Sequence, residues 1–150
     1  MGDLLQPWHL TVLLFVACLL LLPTILYVLT LTKALNKCSV ASRSLEPGML
    51  WLLLVPLVNI VWHFFVVLGM TKTLASEFRG RNIPVTDQMF GNSIGLATCI
   101  CGVCMIIPFN GFVAWPVKIV LWIIYWTKIA ACSRLLDQIP TPGVHPNTGF

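Results

Sequence analysis

Asn59 and His63 are the residues best placed to do chemistry, since they lie one helical turn apart inside 50–70, a stretch with no formal charge. An amide and an imidazole at membrane depth are expensive, and such groups mark either a functional site or a helix contact. An imidazole in dry surroundings has two ring nitrogens to satisfy, which gives His63 the stronger functional claim. Asn59 stands close to Pro56, whose missing N–H frees backbone carbonyls at a kink, so its amide has a structural task at hand.

Two cations sit in the last apolar segment, Lys118 and Lys128. With that segment centred near Ile123, each is about 7.5 Å from the midplane at 1.5 Å per residue. A lysine at mid-bilayer costs about 2.5–3.5 kcal/mol, less where its stem can snorkel. Side chains lean toward a helix N-terminus, so Lys118 reaches its near interface easily, while Lys128 reaches against the lean or points inward. If segments alternate in direction, the second and fourth run parallel, and His63 lies at the depth of Lys128. The expectation is a polar group of Asn59, His63 and Lys128, against the alternative that these side chains occupy unrelated faces.

The cysteines carry less. Cys99-x-Cys101-x-x-Cys104 has the look of a soft-metal motif, but Cys99 points away from the face shared by Cys101 and Cys104, and no fourth ligand is spaced nearby. Thiols in such a segment behave as small hydrophobes, so neither a metal nor a cofactor is expected. Cys38 and Cys132 are expected near opposite interfaces. No intramembrane acid, HExxH, Ser–Lys pair or glycine-rich phosphate loop is present, and the chain reads as non-enzymatic.

The elements that position these residues are helices in a bilayer. The 150 residues are 58% hydrophobic and 9% charged, with mean hydropathy +0.91, whereas soluble domains average about 25% charged. Charge-free runs long enough to cross, at about 20 residues each, together with the turn signal Pro108-Phe109-Asn110-Gly111, predict an all-α polytopic bundle. Its four transmembrane helices fall near 8–31, 48–71, 91–108 and 112–134, within a domain over 1–137. A mobile tail is expected over 138–150, where proline and glycine abound. The helix of the second span is expected to continue to Arg79 as a protruding amphipathic extension, and Trp8 to anchor the first at the interface. Gly91, Gly95 and Cys99 recur every four residues, a small-residue stripe for close helix packing.

Four alternating spans place both termini on one side, read as cytoplasmic. Lys33, Lys37, Arg43 and Lys118 then fall on one face and Lys72, Arg79, Arg81, Lys128 and Arg134 on the other, nearly a tie under the positive-inside rule. The net charge of +4 is juxtamembrane lysine and arginine facing lipid headgroups; no clustered basic surface for nucleic acid is expected.

Pro47-Gly48-Met-Leu-Trp51-Leu-Leu-Leu-Val-Pro56-Leu-Val-Asn59-Ile-Val-Trp62, with the later Ile107-Pro108-Phe109 and Trp122-Ile-Ile-Tyr125-Trp126-Thr-Lys128, resembles a family of small, uncharacterised bacterial membrane proteins with a PGxxWLxLxPLxNxxW signature. The resemblance covers about two thirds of the chain. It implies a four-helix protein of a bacterial inner membrane and brings no activity. The expected function is that of a subunit, scaffold or accessory factor in a membrane assembly, partnered by lipid and by other subunits or further copies. The alternative is a small oligomeric transporter or channel, its path lined by Asn59, His63 and Lys128.

Overall fold

Pro56 divides what hydropathy reads as a single second span. Proline lacks an N–H and forces the preceding residue out of the helical region, and Val55 is extended at φ −86°, ψ 110°. The chain therefore arrives as a 3₁₀ segment, Pro47–Leu54, reverses at Val55, and leaves as a helix beginning at Pro56. Proline at the first helical position loses nothing there, because that N–H has no intrahelical acceptor. The expected kink is thus a hairpin tip.

The computed structural model describes residues 6–86, 88–105 and 111–139. Among them the chain is all-helical: α1 (Pro7–Asn36), a 3₁₀ turn (Val40–Ser42), the 3₁₀ segment Pro47–Leu54, α2 (Pro56–Gly80), α3 (Asn92–Cys104) and α4 (Gly111–Gln138). Three helices, α1, α2 and α4, are long and apolar enough to cross a membrane. A fourth crossing helix is not shown among the described residues. The helix found in the third segment has 13 residues, or about 20 Å at 1.5 Å per residue, against a hydrocarbon core of about 30 Å. The turn expected at 108–111 lies outside the described residues except for Gly111, and the tail lies outside them from 140.

The long helices do not alternate. Tyr27 of α1 meets His63 of α2 and Trp122 of α4. Ten or more residues later in each helix, Lys37 binds Asp137, and Arg81 donates to the carbonyls of Lys37 and Leu136. The same order at both levels makes α1, α2 and α4 parallel. The 3₁₀ segment and α3 run back between them. Trp62 Nε1 donates to the Met49 carbonyl at 2.8 Å, Ser44 N donates to Thr73 Oγ1 at 2.9 Å, and α3 packs on both α2 and α4. Pro7 and Gln138 consequently lie at opposite ends of the bundle, whereas four alternating spans would bring them to the same end.

Parallel helices bring three negative dipole ends together, and cations are favoured there. Arg81 donates to the carbonyls of Leu136 and Ile139 at the end of α4 and of Lys37 at the end of α1. Arg43 donates to those of Asn36 and Cys38, and Lys37 to that of Ser133. Glu77 holds this lattice from below. One carboxylate oxygen accepts from Arg81 Nε and Nη2 at 3.0 and 2.9 Å, the other from Ser39 N and Oγ at 2.8 and 2.9 Å. The C-terminal part of α2 is therefore no protruding amphipathic extension: Thr73, Leu74, Glu77 and Phe78 are buried. Of the nine lysines and arginines, Lys33, Lys37, Arg43, Arg79, Arg81 and Arg134 gather at this basic end. Cys38 and Cys132 are both there too, correcting their expected separation.

Inward from the lattice, Val66, Val67, Met70, Leu74, Phe90, Tyr125 and Ile129 form a closely packed core. Gly95 makes it possible, since a Cβ there would stand 2.6 Å from Val67 Cγ1 and 2.9 Å from the Tyr125 ring. The other half of the bundle is open. The N-terminal half of α1 extends past the tip at Val55 without a partner among the described residues, and Leu14 and Phe15 are each 67% exposed.

Candidate functional site

His63 lies where the packed core gives way to the open half. It is 8% exposed, and its Nε2 is 3.3 Å from the Tyr27 hydroxyl, a contact that fixes the ring across α1 and α2. The tautomer decides which of the two groups donates. Tyr27 is itself boxed by the rings of Trp122, Tyr125 and Trp126, so the imidazole is held on a rigid aromatic support.

Two cavities meet at this histidine. The smaller, about 90 Å³, is lined by Asn59, His63, Thr98, Cys99, Gly102 and Lys118. The larger, about 420 Å³, lies between α1, α4 and the 3₁₀ segment, with Pro23, Leu53, Trp115, Ile119 and Trp122 on its apolar walls. Asn59, His63 and Lys118 line both cavities. Among the described residues, the Asn59 amide, the Lys118 ammonium and His63 Nδ1 have no hydrogen-bond or ion-pair partner.

Lys118, and not Lys128, is thus the lysine that joins Asn59 and His63. Lys128 donates to the Gln88 carbonyl at 3.2 Å and borders a separate cavity of about 270 Å³ with Gly91 and Ser93. Lys128 is not at the depth of His63: it lies beside Gln88 and Gly91 at the start of α3, whereas His63 is level with Tyr27, Trp122 and Lys118. Nearer the tip, where α3 offers Gly102, the Lys118 side chain passes over it, with Nζ 3.4 Å from where a Cβ would stand.

The remaining candidates occupy other places. Gly91 adopts φ +66° as the residue before α3, a conformation glycine takes without steric cost. Gly95 and Cys99 are buried against the chain's own core, so the small-residue stripe is used within the bundle. Cys101 and Cys104 are partly exposed, and no three His, Cys, Asp or Glu side chains converge as a metal ligand set among the described residues. Tyr27 and Trp115 of the site carried no sequence signal beyond their aromatic character. A buried tyrosine hydroxyl needs a partner, and that requirement is the one clue that links Tyr27 to His63.

A second cleft, about 390 Å³, opens between α1 and α4 at the basic end and includes Lys33, Lys37 and Arg134, as suits headgroup contact. Outside the spans, burial pushes the Cys38 thiol up to about 11, with Glu77 adding to the effect. No known protein family, curated protein or solved structure matches the chain.

Proposed function

We propose that this chain is a non-enzymatic integral membrane protein acting as a subunit, scaffold or accessory factor of a membrane assembly, in a bacterial cell membrane as its resemblance implies. The observation that carries this reading is the asymmetry of the bundle. One half is locked by the Glu77–Arg81 lattice and a packed core, whereas the first half of α1 presents a mostly apolar surface with no partner among the described residues. Such a helix suits docking against another membrane helix, from a different subunit or a second copy. Purification in mild detergent followed by mass spectrometry tests the proposal: a partner or a homo-oligomer of fixed stoichiometry is expected. A monodisperse, partner-free monomer overturns it.

The basic end faces the cytoplasm in this proposal. Six of the nine basic residues, Lys33, Lys37, Arg43, Arg79, Arg81 and Arg134, lie there, and lysine and arginine accumulate on the cytoplasmic side. The N-terminal end of α1 then lies across the membrane. Reporter fusions active in the cytoplasm should work after Gln138 and fail before Pro7; the reverse pattern inverts the orientation.

A transporter is the second reading, favoured by the cavities around Asn59, His63 and Lys118. Against it stands the core beneath His63, where Val66, Val67, Met70 and Ile129 are fully buried and leave no polar continuation. Solute flux that is lost in His63→Ala would favour this reading.

A further inference from the structure

We infer that the cavity pair at His63 binds a lipophilic anion: a carboxylate or phosphate monoester carried on an acyl or isoprenyl chain. This is independent of whether the chain also serves as a subunit. Four observations converge on that chemistry.

The first is the isolation of Lys118. At the basic end, carboxylates and helix C-termini face Lys37, Arg43 and Arg81, and Lys128 is taken by the Gln88 carbonyl. Lys118 lies ten residues before Lys128, about 15 Å further along α4 from that end at 1.5 Å per residue. An ammonium beside an apolar cavity is stabilised by an opposite charge, and the protein supplies none among the described residues.

The second is the supply of further donors. The Asn59 amide faces both cavities with Lys118 and has no partner among the described residues. His63 Nδ1 is likewise unpartnered among them, while Tyr27 holds the opposite ring nitrogen. The imidazole is more than nine-tenths buried and lines both cavities.

The third is size and shape. At about 420 Å³, the larger cavity falls in the range of about 300–1,000 Å³ occupied by small-molecule ligands. Its walls, Pro23, Leu53, Trp115, Ile119 and Trp122, suit a hydrocarbon chain, and its polar end is at Lys118. The smaller cavity, about 90 Å³, has room for a headgroup and no more.

The fourth is access. The larger cavity is bounded on one side by Leu19, Pro23 and Thr24 of α1, in the half of the bundle where α1 has few other contacts among the described residues. A ligand dissolved in the bilayer can enter laterally, between α1 and α4, without crossing the packed core.

Trp115 and Trp122 on the walls provide the assay. The intact protein in nanodiscs of phosphatidylcholine is titrated with 11-bromoundecanoic acid, whose bromine quenches tryptophan, and with 11-bromoundecanol as the neutral analogue. Saturable quenching by the acid is expected, with at least about tenfold weaker binding of the alcohol, as one charge-assisted hydrogen bond implies. Lys118→Met should weaken the acid by a similar factor, Lys118→Arg should restore it, and Lys128→Met should change nothing. A brominated phosphatidic acid, a phosphate monoester incorporated in place of the acid, identifies the source: saturable quenching by it assigns the site to the bilayer's own anionic lipid, whereas quenching by the acid alone assigns it to a free amphiphile. Equal binding of acid and alcohol to the wild type overturns the inference without recourse to any variant. So does linear, unsaturable quenching by both anions, or an unchanged affinity in Lys118→Met.

Discussion

Replacing Arg81 by alanine tests the central claim about the basic end. The Arg81 and Glu77 side chains are 5% and 3% exposed, so removing the guanidinium strands a carboxylate away from water. Loss of one partner from a buried pair costs about 3–5 kcal/mol. Arg81 also donates to three carbonyls on two other helices, which places the expected loss at the upper part of that range. Lys37→Ala supplies the comparison. Its partner Asp137 is 59% exposed, and exposed pairs contribute about 0–1 kcal/mol. Thermal unfolding in detergent, followed by size-exclusion of the folded fraction, should show Arg81→Ala with a midpoint lower by on the order of 10 °C and Lys37→Ala shifted little. Arg81→Lys should fall between them, since it keeps the charge and loses the planar fork. In the double variant Glu77→Gln with Arg81→Ala, part of the stability should return, because no carboxylate is stranded. If Arg81→Ala is no more harmful than Lys37→Ala, or if the two substitutions at 77 and 81 add without coupling, the lattice does not hold the three helices together.

Gly95→Ala should destabilise by about 1–3 kcal/mol through overpacking against Val67 and Tyr125, whereas Gly102→Ala, with only ordinary contact to Lys118, should be nearly neutral in the same unfolding assay. Parallel packing predicts that cysteines at 37 and 137 are joined by a short bismaleimide in membranes, and that a pair at 63 and 128 is not; four alternating helices would leave 37 and 137 on opposite sides. Cys38 should resist maleimide at neutral pH, since burial holds its thiol near 11 and the neutral thiol is the poor nucleophile. Labelling of Cys38 at the rate of an exposed thiol would show that the loop after α1 is open. Oxidative cross-linking through Cys18, which is exposed on the unpartnered half of α1, should yield a dimer if that face docks a second copy, and none if it docks another protein.

Composition and charge spacing alone determine that this chain is helical, apolar and built to span a bilayer, because hydrocarbon admits only segments whose backbone bonds are satisfied internally. The same spacing marks Asn59, His63, Lys118 and Lys128 as polar groups at depth, since a charge or imidazole in an apolar run is visible without any fold. Which of them meet was not legible. Depth along a helix follows from 1.5 Å per residue, but the direction of each helix depends on where the chain reverses, and hydropathy is blind to direction. Pro56 is the case in point: it reads as a kink inside one span, yet Val55 turns the chain back there, and that reversal makes α1, α2 and α4 parallel. Parallel helices collect Lys37, Arg43 and Arg81 at one end, bury Glu77 with Arg81, and set Lys128 against the start of α3, away from the level of His63. Tertiary packing thus exchanged Lys128 for Lys118 beside His63, because a side chain's partner is set by which helix stands next to it.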